Sequence, residues 1–202
     1  MTTFRRVAIA ALAGFLSLSA CGSDAPKTLS GYELSPAPSV GDLALPEASS
    51  NNADFQFKAP TGKMLIVYFG YMSCPDVCPT TLAEVKKALT KLGSKADKVE
   101  LAMITVDPGR DTGDALTLYV QSFVAGAHAL RTDDAAALEA TAKSFGASYS
   151  VTTTADGTVE VSHSAAMYVV DPSGTIVLTW PFGINAASIA SDLDILLSRS
   201  AA

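Results

Sequence analysis

Two apolar runs, Met64-Leu65-Ile66-Val67-Tyr68-Phe69 and Leu101-Ala102-Met103-Ile104-Thr105-Val106, restrict this chain more than any other feature. Each has strand length and neither alternates with charged residues, so each predicts a strand covered on both faces in a parallel sheet. A helical pattern fills the interval between them. Pro79 suits a first helical turn, where its missing amide hydrogen would have no partner anyway, and Thr81 and Glu84 have capping-box spacing. Leu82, Val85, Leu89 and Leu92 then recur at helical intervals until Gly93 ends the element.

Asp107-Pro108 breaks the second strand. Asp111 or Thr112 caps a predicted helix to Phe123, with Leu116, Tyr119, Val120 and Phe123 on one face, and Asp133 opens an Ala-rich helix to Phe145. Short strands are predicted over 148–153, 157–161, 165–170 and 175–180, the last two joined by the turn Asp171-Pro172-Ser173-Gly174. A helix over about 186–197 closes the chain. Upstream, 42–45 and 55–57 predict a hairpin interrupted by Ser49-Ser50-Asn51-Asn52. This order is that of an α/β, thioredoxin-like fold with an added N-terminal hairpin and a hairpin insertion before the last strands. A single domain of this size buries about two thirds of its unfolded surface and needs no disulfide to fold.

The three cysteines divide into two jobs. Cys21 closes Leu18-Ser19-Ala20-Cys21 after an apolar stretch behind Arg5 and Arg6, the layout of a bacterial lipoprotein leader. The uncharged stretch from Val7 to Gly22 is shorter than the roughly 20 apolar residues a spanning helix needs. The organisation expected is a lipoprotein signal peptide over 1–20, a flexible Ser/Pro/Gly-containing tether over 21–40 from lipidated Cys21, and the domain over 41–202. Several acyl chains anchor firmly where one does not, which places the domain in the bacterial cell envelope, on the extracytoplasmic (periplasmic) face of the membrane. Removing the leader lowers the basic residues from 14 to 12 against 20 acidic ones, a net charge of about −8. Nucleic-acid binding calls for a clustered basic face, so this balance argues against a nucleic-acid partner.

The other two cysteines form Cys74-Pro75-Asp76-Val77-Cys78, directly after the first buried strand. That position is the carboxyl edge of the sheet, where open α/β sheets carry their ligands. Four-residue spacing on a helical turn puts both sulfurs on one face, within reach of one soft metal ion. Cys78, near a helix amino end, is expected to favour its thiolate. The chain has two histidines. His163, in Val161-Ser162-His163-Ser164, precedes an apolar strand, where an inter-strand loop reaches the same sheet edge; His128 has no motif around it and reads as structural or surface.

Plainer readings compete. A structural disulfide closing so short a loop contributes only about 2 kcal/mol on the loop-entropy account, a weak staple for a domain with its own core. A thiol-disulfide oxidoreductase is the sharper rival, but the Cys-x-x-x-Cys spacing and the lack of proline between Val159 and Tyr168 depart from the usual Cys-x-x-Cys enzymes. An anchored interaction module without metal leaves His163 and the dithiol unexplained. His163 alone reads as a hydrogen-bonded loop residue, and only its pairing with the dithiol changes that. Asp107, Arg110 and Asp111 read as a loop salt bridge and a helix cap, and Asp76 as a charge beside the thiols or a docking contact.

The string from Val67 to Leu82, VYFGYMSCPDVCPTTL, resembles the signature of the Sco/SenC copper chaperones. Val106-Asp107-Pro108-Gly109-Arg110-Asp111-Thr112, and His163 followed by Met167-Tyr168 and Asp171-Pro172, extend the resemblance over roughly 62–197. It implies a thioredoxin-like fold and one copper ion, Cu(I) or Cu(II), per chain, with Cys74, Cys78 and His163 as ligands. It also implies a role in assembling the copper site of cytochrome c oxidase, whose copper-bearing subunit is then the partner. The copper donor and thiol reductant are not identified by it. The implied redox disulfide is Cys74 with Cys78, and some members are thought to reduce the oxidase's cysteines. Donor chemistry agrees: thiolates favour Cu(I), imidazole tolerates both states, and the oxygen ligands of Ca²⁺ or Mg²⁺ are missing. Cys₂His with water also suits zinc. Relatives commonly carry Asp-His where this chain has Ser162-His163, so a carboxylate to orient the imidazole is expected to be lost.

Overall fold

Both apolar runs are neighbouring central strands of one sheet in the computed structural model, which describes residues 28–200. Cys21 and the leader expected over 1–20 lie outside the described residues. In chain order the elements are β1 (Ala44–Glu47), β2 (Ala53–Gln56), β3 (Met64–Gly70), α1 (Val77–Leu92), β4 (Val99–Thr105), α2 (Gly113–Phe123), β5 (His128–Leu130) and α3 (Ala135–Phe145). They continue with β6 (Tyr149–Thr153), β7 (Val159–His163), β8 (Met167–Val170), β9 (Ile176–Trp180) and α4 (Ala186–Arg199). The main sheet runs β2-β1-β5-β4-β3-β8-β9, while β6 and β7 pair only with each other. Strands β3, β4 and β5 are parallel; β8, β9 and the β1–β2 hairpin run antiparallel to their neighbours.

Alternation along β3 explains its unbroken apolarity. Tyr68 faces α1, which packs beside α4, and Phe69 points to the opposite face, where its ring meets Phe145 of α3 at 5.5 Å. Every residue of β3 is buried. Phe57 and Tyr168 join Phe145 in the same aromatic cluster, at 5.2 and 5.4 Å.

Several boundaries differ from expectation, each for a local reason. Helix α1 begins at Val77, so Pro79 stands third in a first turn whose amides lack intrahelical partners in any case. The predicted capping box does not form: Thr81 is buried, and Glu84 instead accepts from Ala186 N–H (2.7 Å) and Lys87 (2.7 Å), tying α1 to the start of α4. Thr112 caps α2, and α3 is capped by Asp134 rather than Asp133, which pairs with Arg131. Strand β5 was not anticipated because three residues carry no measurable period.

The composition of 21–40 reads as a flexible connector, yet from Ser30 onward it is fastened to the domain. Ser30 and Gly31 amides donate to the buried Asp192 carboxylate (2.8 and 3.0 Å), which also accepts from Trp180 Nε1 (2.8 Å). Tyr32 exchanges two 2.9 Å backbone bonds with Thr179, and Ile176 N–H donates to Pro38 O, so the segment covers the outer edge of β9. Gly31 is needed there, because a Cβ would lie 2.8 Å from the Trp180 ring and 2.9 Å from Thr179 O.

Candidate metal centre

Strand β3 ends at Gly70 and the chain turns through Tyr71–Asp76 before α1 begins. This places Cys74 in the turn and Cys78 in the first helical turn, both buried and both free thiols. The Cys78 amide donates to Cys74 Sγ at 3.3 Å, so the positive amino end of α1 addresses Cys74 rather than Cys78. Cys78 Sγ lies deeper, at 0 % exposure for the residue against 8 % for Cys74. Gly70 makes room for it: a Cβ there would stand 3.0 Å from the sulfur and 3.1 Å from Met103 Cε.

The expectation that Cys78 favours its thiolate is therefore corrected for the metal-free protein. Burial pushes its thiol up to about 12, against the opposing pull of the Tyr68 hydroxyl. That hydroxyl donates to Cys78 Sγ at 3.4 Å. Desolvation likewise drives the Tyr68 phenol well above its ordinary range. Deprotonation of Cys78 thus calls for a cation that replaces the proton.

His163 arrives from the other side as the last residue of β7, not from a loop, paired across the ribbon with Tyr149. Its ring packs edge-on against Tyr71 (5.7 Å) and Tyr68 (6.1 Å). Nδ1 lies 3.1 Å from the Ser164 carbonyl, which only accepts, so Nδ1 carries the hydrogen and Nε2 keeps its lone pair. Nε2 faces Cys78 Sγ at 3.5 Å. Burial holds the imidazole below its usual pKa, favouring the neutral form a ligand needs. The orienting role thought lost with Ser162 is filled by the Ser164 backbone, while Ser162 itself is exposed and alternates to the other side of the ribbon.

One donor atom from each of Cys74, Cys78 and His163 lies within 4.8 Å of the other two. Ligand atoms about 2.0–2.3 Å from a soft cation stand roughly 3.5–4 Å apart, so the trio fits such an ion after closing by about 1 Å. Two sulfurs and one nitrogen match Cu(I) best in softness.

The residues around the centre meet some sequence expectations and depart from others. Asp111 is buried and does not cap α2; its Oδ2 accepts from Thr105 Oγ1 (2.6 Å) and from the Met72 amide (3.0 Å), binding the cysteine turn to the end of β4. Arg110 pairs with Asp107 beside it, as the loop salt bridge predicted. Asp76 accepts from Thr80 Oγ1 at 3.1 Å and stays exposed. His128 is remote from the cluster on β5, its Nδ1 2.6 Å from Glu47 and its ring 4.6 Å from Phe55.

A thioredoxin-like domain that delivers two thiols from its first buried strand to an imidazole on an inserted ribbon is the scaffold of a Cys₂His soft-metal protein. The chain belongs to the SCO1/SenC family, whose model matches residues 47–198. It is 32% identical over 139 residues to a putative copper-binding protein of Stutzerimonas stutzeri, covering 67% of this chain and 68% of that one. Other curated relatives are matched over 35% and 63% of their own lengths. Among solved structures, Bradyrhizobium japonicum ScoI with copper bound superposes with a TM-score of 0.65 at 32% identity, covering 76% of this chain and 96% of that one. Apo Sco1 of Thermus thermophilus gives 0.73 at 30% identity, covering 85% and 99%.

Proposed function

We propose that this protein is a membrane-anchored copper carrier that binds one copper ion through Cys74, Cys78 and His163 and hands it to the copper-bearing subunit of cytochrome c oxidase. The observation that carries the reading is the convergence of the three donor atoms within 4.8 Å, two soft and one borderline. Membership of a family that includes a copper-loaded ScoI supports the metal, and the family's role supports the acceptor. In this reading residues 1–20 are removed, Cys21 carries the lipid, and the domain works at the extracytoplasmic face.

Three ligands leave one side of the cargo open. An incoming acceptor thiol bonds there while the bond to Cys74, the less buried sulfur, breaks; the acceptor's proton passes to Cys74 and no electron moves. A Cys74–Cys78 disulfide would remove two ligands at once, so loading requires the reduced form.

A second reading, reduction of the acceptor's cysteines, has its own support in Cys74 Sγ, which faces the amino end of α1 as an attacking thiol does. Titrating the reduced protein with Cu(I) against a chelator tests the first reading. One equivalent is expected, with affinity falling in Cys74→Ser and in His163→Ala; undiminished affinity in both variants would end the ligand assignment. Supplying an oxidase fragment whose cysteines are already reduced separates the roles: a carrier metallates it, whereas a pure reductase benefits only the oxidised fragment.

A further inference from the structure

Tyr68 is fully buried in the middle of the sheet, yet it carries a hydroxyl, and nothing in the carrier reading uses it. A buried phenol costs stability unless it is partnered, and phenylalanine would fill the same volume without that cost. Its O–H points at Cys78 Sγ, 3.4 Å away. The single phenolic hydrogen is thus directed at the sulfur. Cys78 itself is fully buried, so the phenol meets the sulfur inside the core rather than at the surface.

We propose that Tyr68 is a positioning relay between the core of the sheet and the metal centre, fixing one hydrogen bond on Cys78 Sγ and thereby biasing the centre toward Cu(I) over Cu(II). The inference rests on the copper reading above. A donor on a thiolate withdraws electron density from sulfur, and hydrogen bonding around a cysteine ligand is a recognised control on copper potentials. Cu(II) relies on strong sulfur donation more than filled-shell Cu(I) does, so the relay penalises the oxidised ion. A carrier gains from this, since Cu(I) exchanges thiolates without oxidising them.

The test compares wild type and Tyr68→Phe, titrated with Cu(I) against a chelator and with Cu(II) followed by absorbance. Tyr68→Phe is expected to raise the ratio of Cu(II) to Cu(I) affinity roughly three- to ten-fold, part of the full effect of a charge-assisted hydrogen bond. The sulfur-to-Cu(II) charge-transfer band is expected to move to longer wavelength, as the freed sulfur becomes a better donor. A merely structural role would weaken both ions alike and leave the band in place, and an unchanged ratio and band in Tyr68→Phe overturns the relay. Should Tyr68→Phe not fold, 3-fluorotyrosine placed at position 68 decides: its more acidic hydroxyl donates more strongly, so both readouts are expected to move the opposite way, and unchanged readouts overturn the relay. Failure of the copper reading looks different: wild type takes up no copper, or Cys78→Ser binds it as tightly.

Discussion

The sulfur half and the imidazole half of the centre are built to different standards. Cys74 and Cys78 follow a strand buried along its whole length and bonded on both sides, to β4 and to β8. His163 ends a ribbon of two strands that pair only with each other, with most of β6 exposed. A lone two-stranded ribbon is marginal in water, so the core fixes the thiols while the imidazole depends on a few contacts with Tyr68, Tyr71 and Cys78. The contrast teaches that one centre can draw its donors from a rigid sheet and from a compliant ribbon at once.

Native-state hydrogen exchange is the most direct way to break this contrast. Amides of β3 are expected to exchange at least about a thousand-fold more slowly than those of β6 and β7 in the metal-free protein. Equal protection would make the ribbon part of the core and remove the distinction.

The next effect tests what secures the sulfur side. Asp111→Ala strips the Met72 amide and Thr105 hydroxyl of their buried acceptor and is expected to cost about 2–4 kcal/mol in denaturant unfolding. Within that half, the two thiols differ. Cys78 is enclosed and its thiol pushed up to about 12, so a small alkylating agent at pH 8 is expected to modify Cys74 at least about ten-fold faster in the folded protein. Denaturant is expected to abolish the difference, which peptide mapping would detect.

A smaller effect concerns the imidazole side. Burial lowers the folded pKa of His163, so below the ordinary value of 6.5 the unfolded chain takes up the proton first. The neutral ring's contribution is complete above that value and is lost as pH falls through the lowered folded pKa. The urea midpoint of metal-free wild type is therefore expected to drop more between pH 7.5 and 5 than that of His163→Gln. Parallel pH profiles would show that the ring is not desolvated.

Residues with a period or a chemical signature were readable from sequence; residues defined only by what they touch were not. The runs at 64–69 and 101–106 revealed the central strands because both faces of each are covered, and Cys74, Cys78 and His163 announced soft-metal chemistry. Strand β5 stayed hidden in three residues, and Asp111 was read as a helix cap because its neighbour Thr112 suits the same role. The carbonyl of Ser164 has no side-chain signature at all, so only the missing carboxylate at Ser162 is visible in the sequence. Tyr68 looked like core because it is core; only its hydroxyl, 3.4 Å from sulfur, marks it out.

The segment along β9 enters beside Trp180, which is level with Met167 and Tyr68, and leaves beside Thr175 at the opposite end of the sheet. Residues preceding it therefore depart from the end that bears the sulfurs, roughly three strand spacings, or about 14 Å, to one side. An anchor attached upstream would therefore pull on the edge that carries Cys74, Cys78 and His163 and not on the far one, as a leash tied near the mouth of a vessel sets which way it tips.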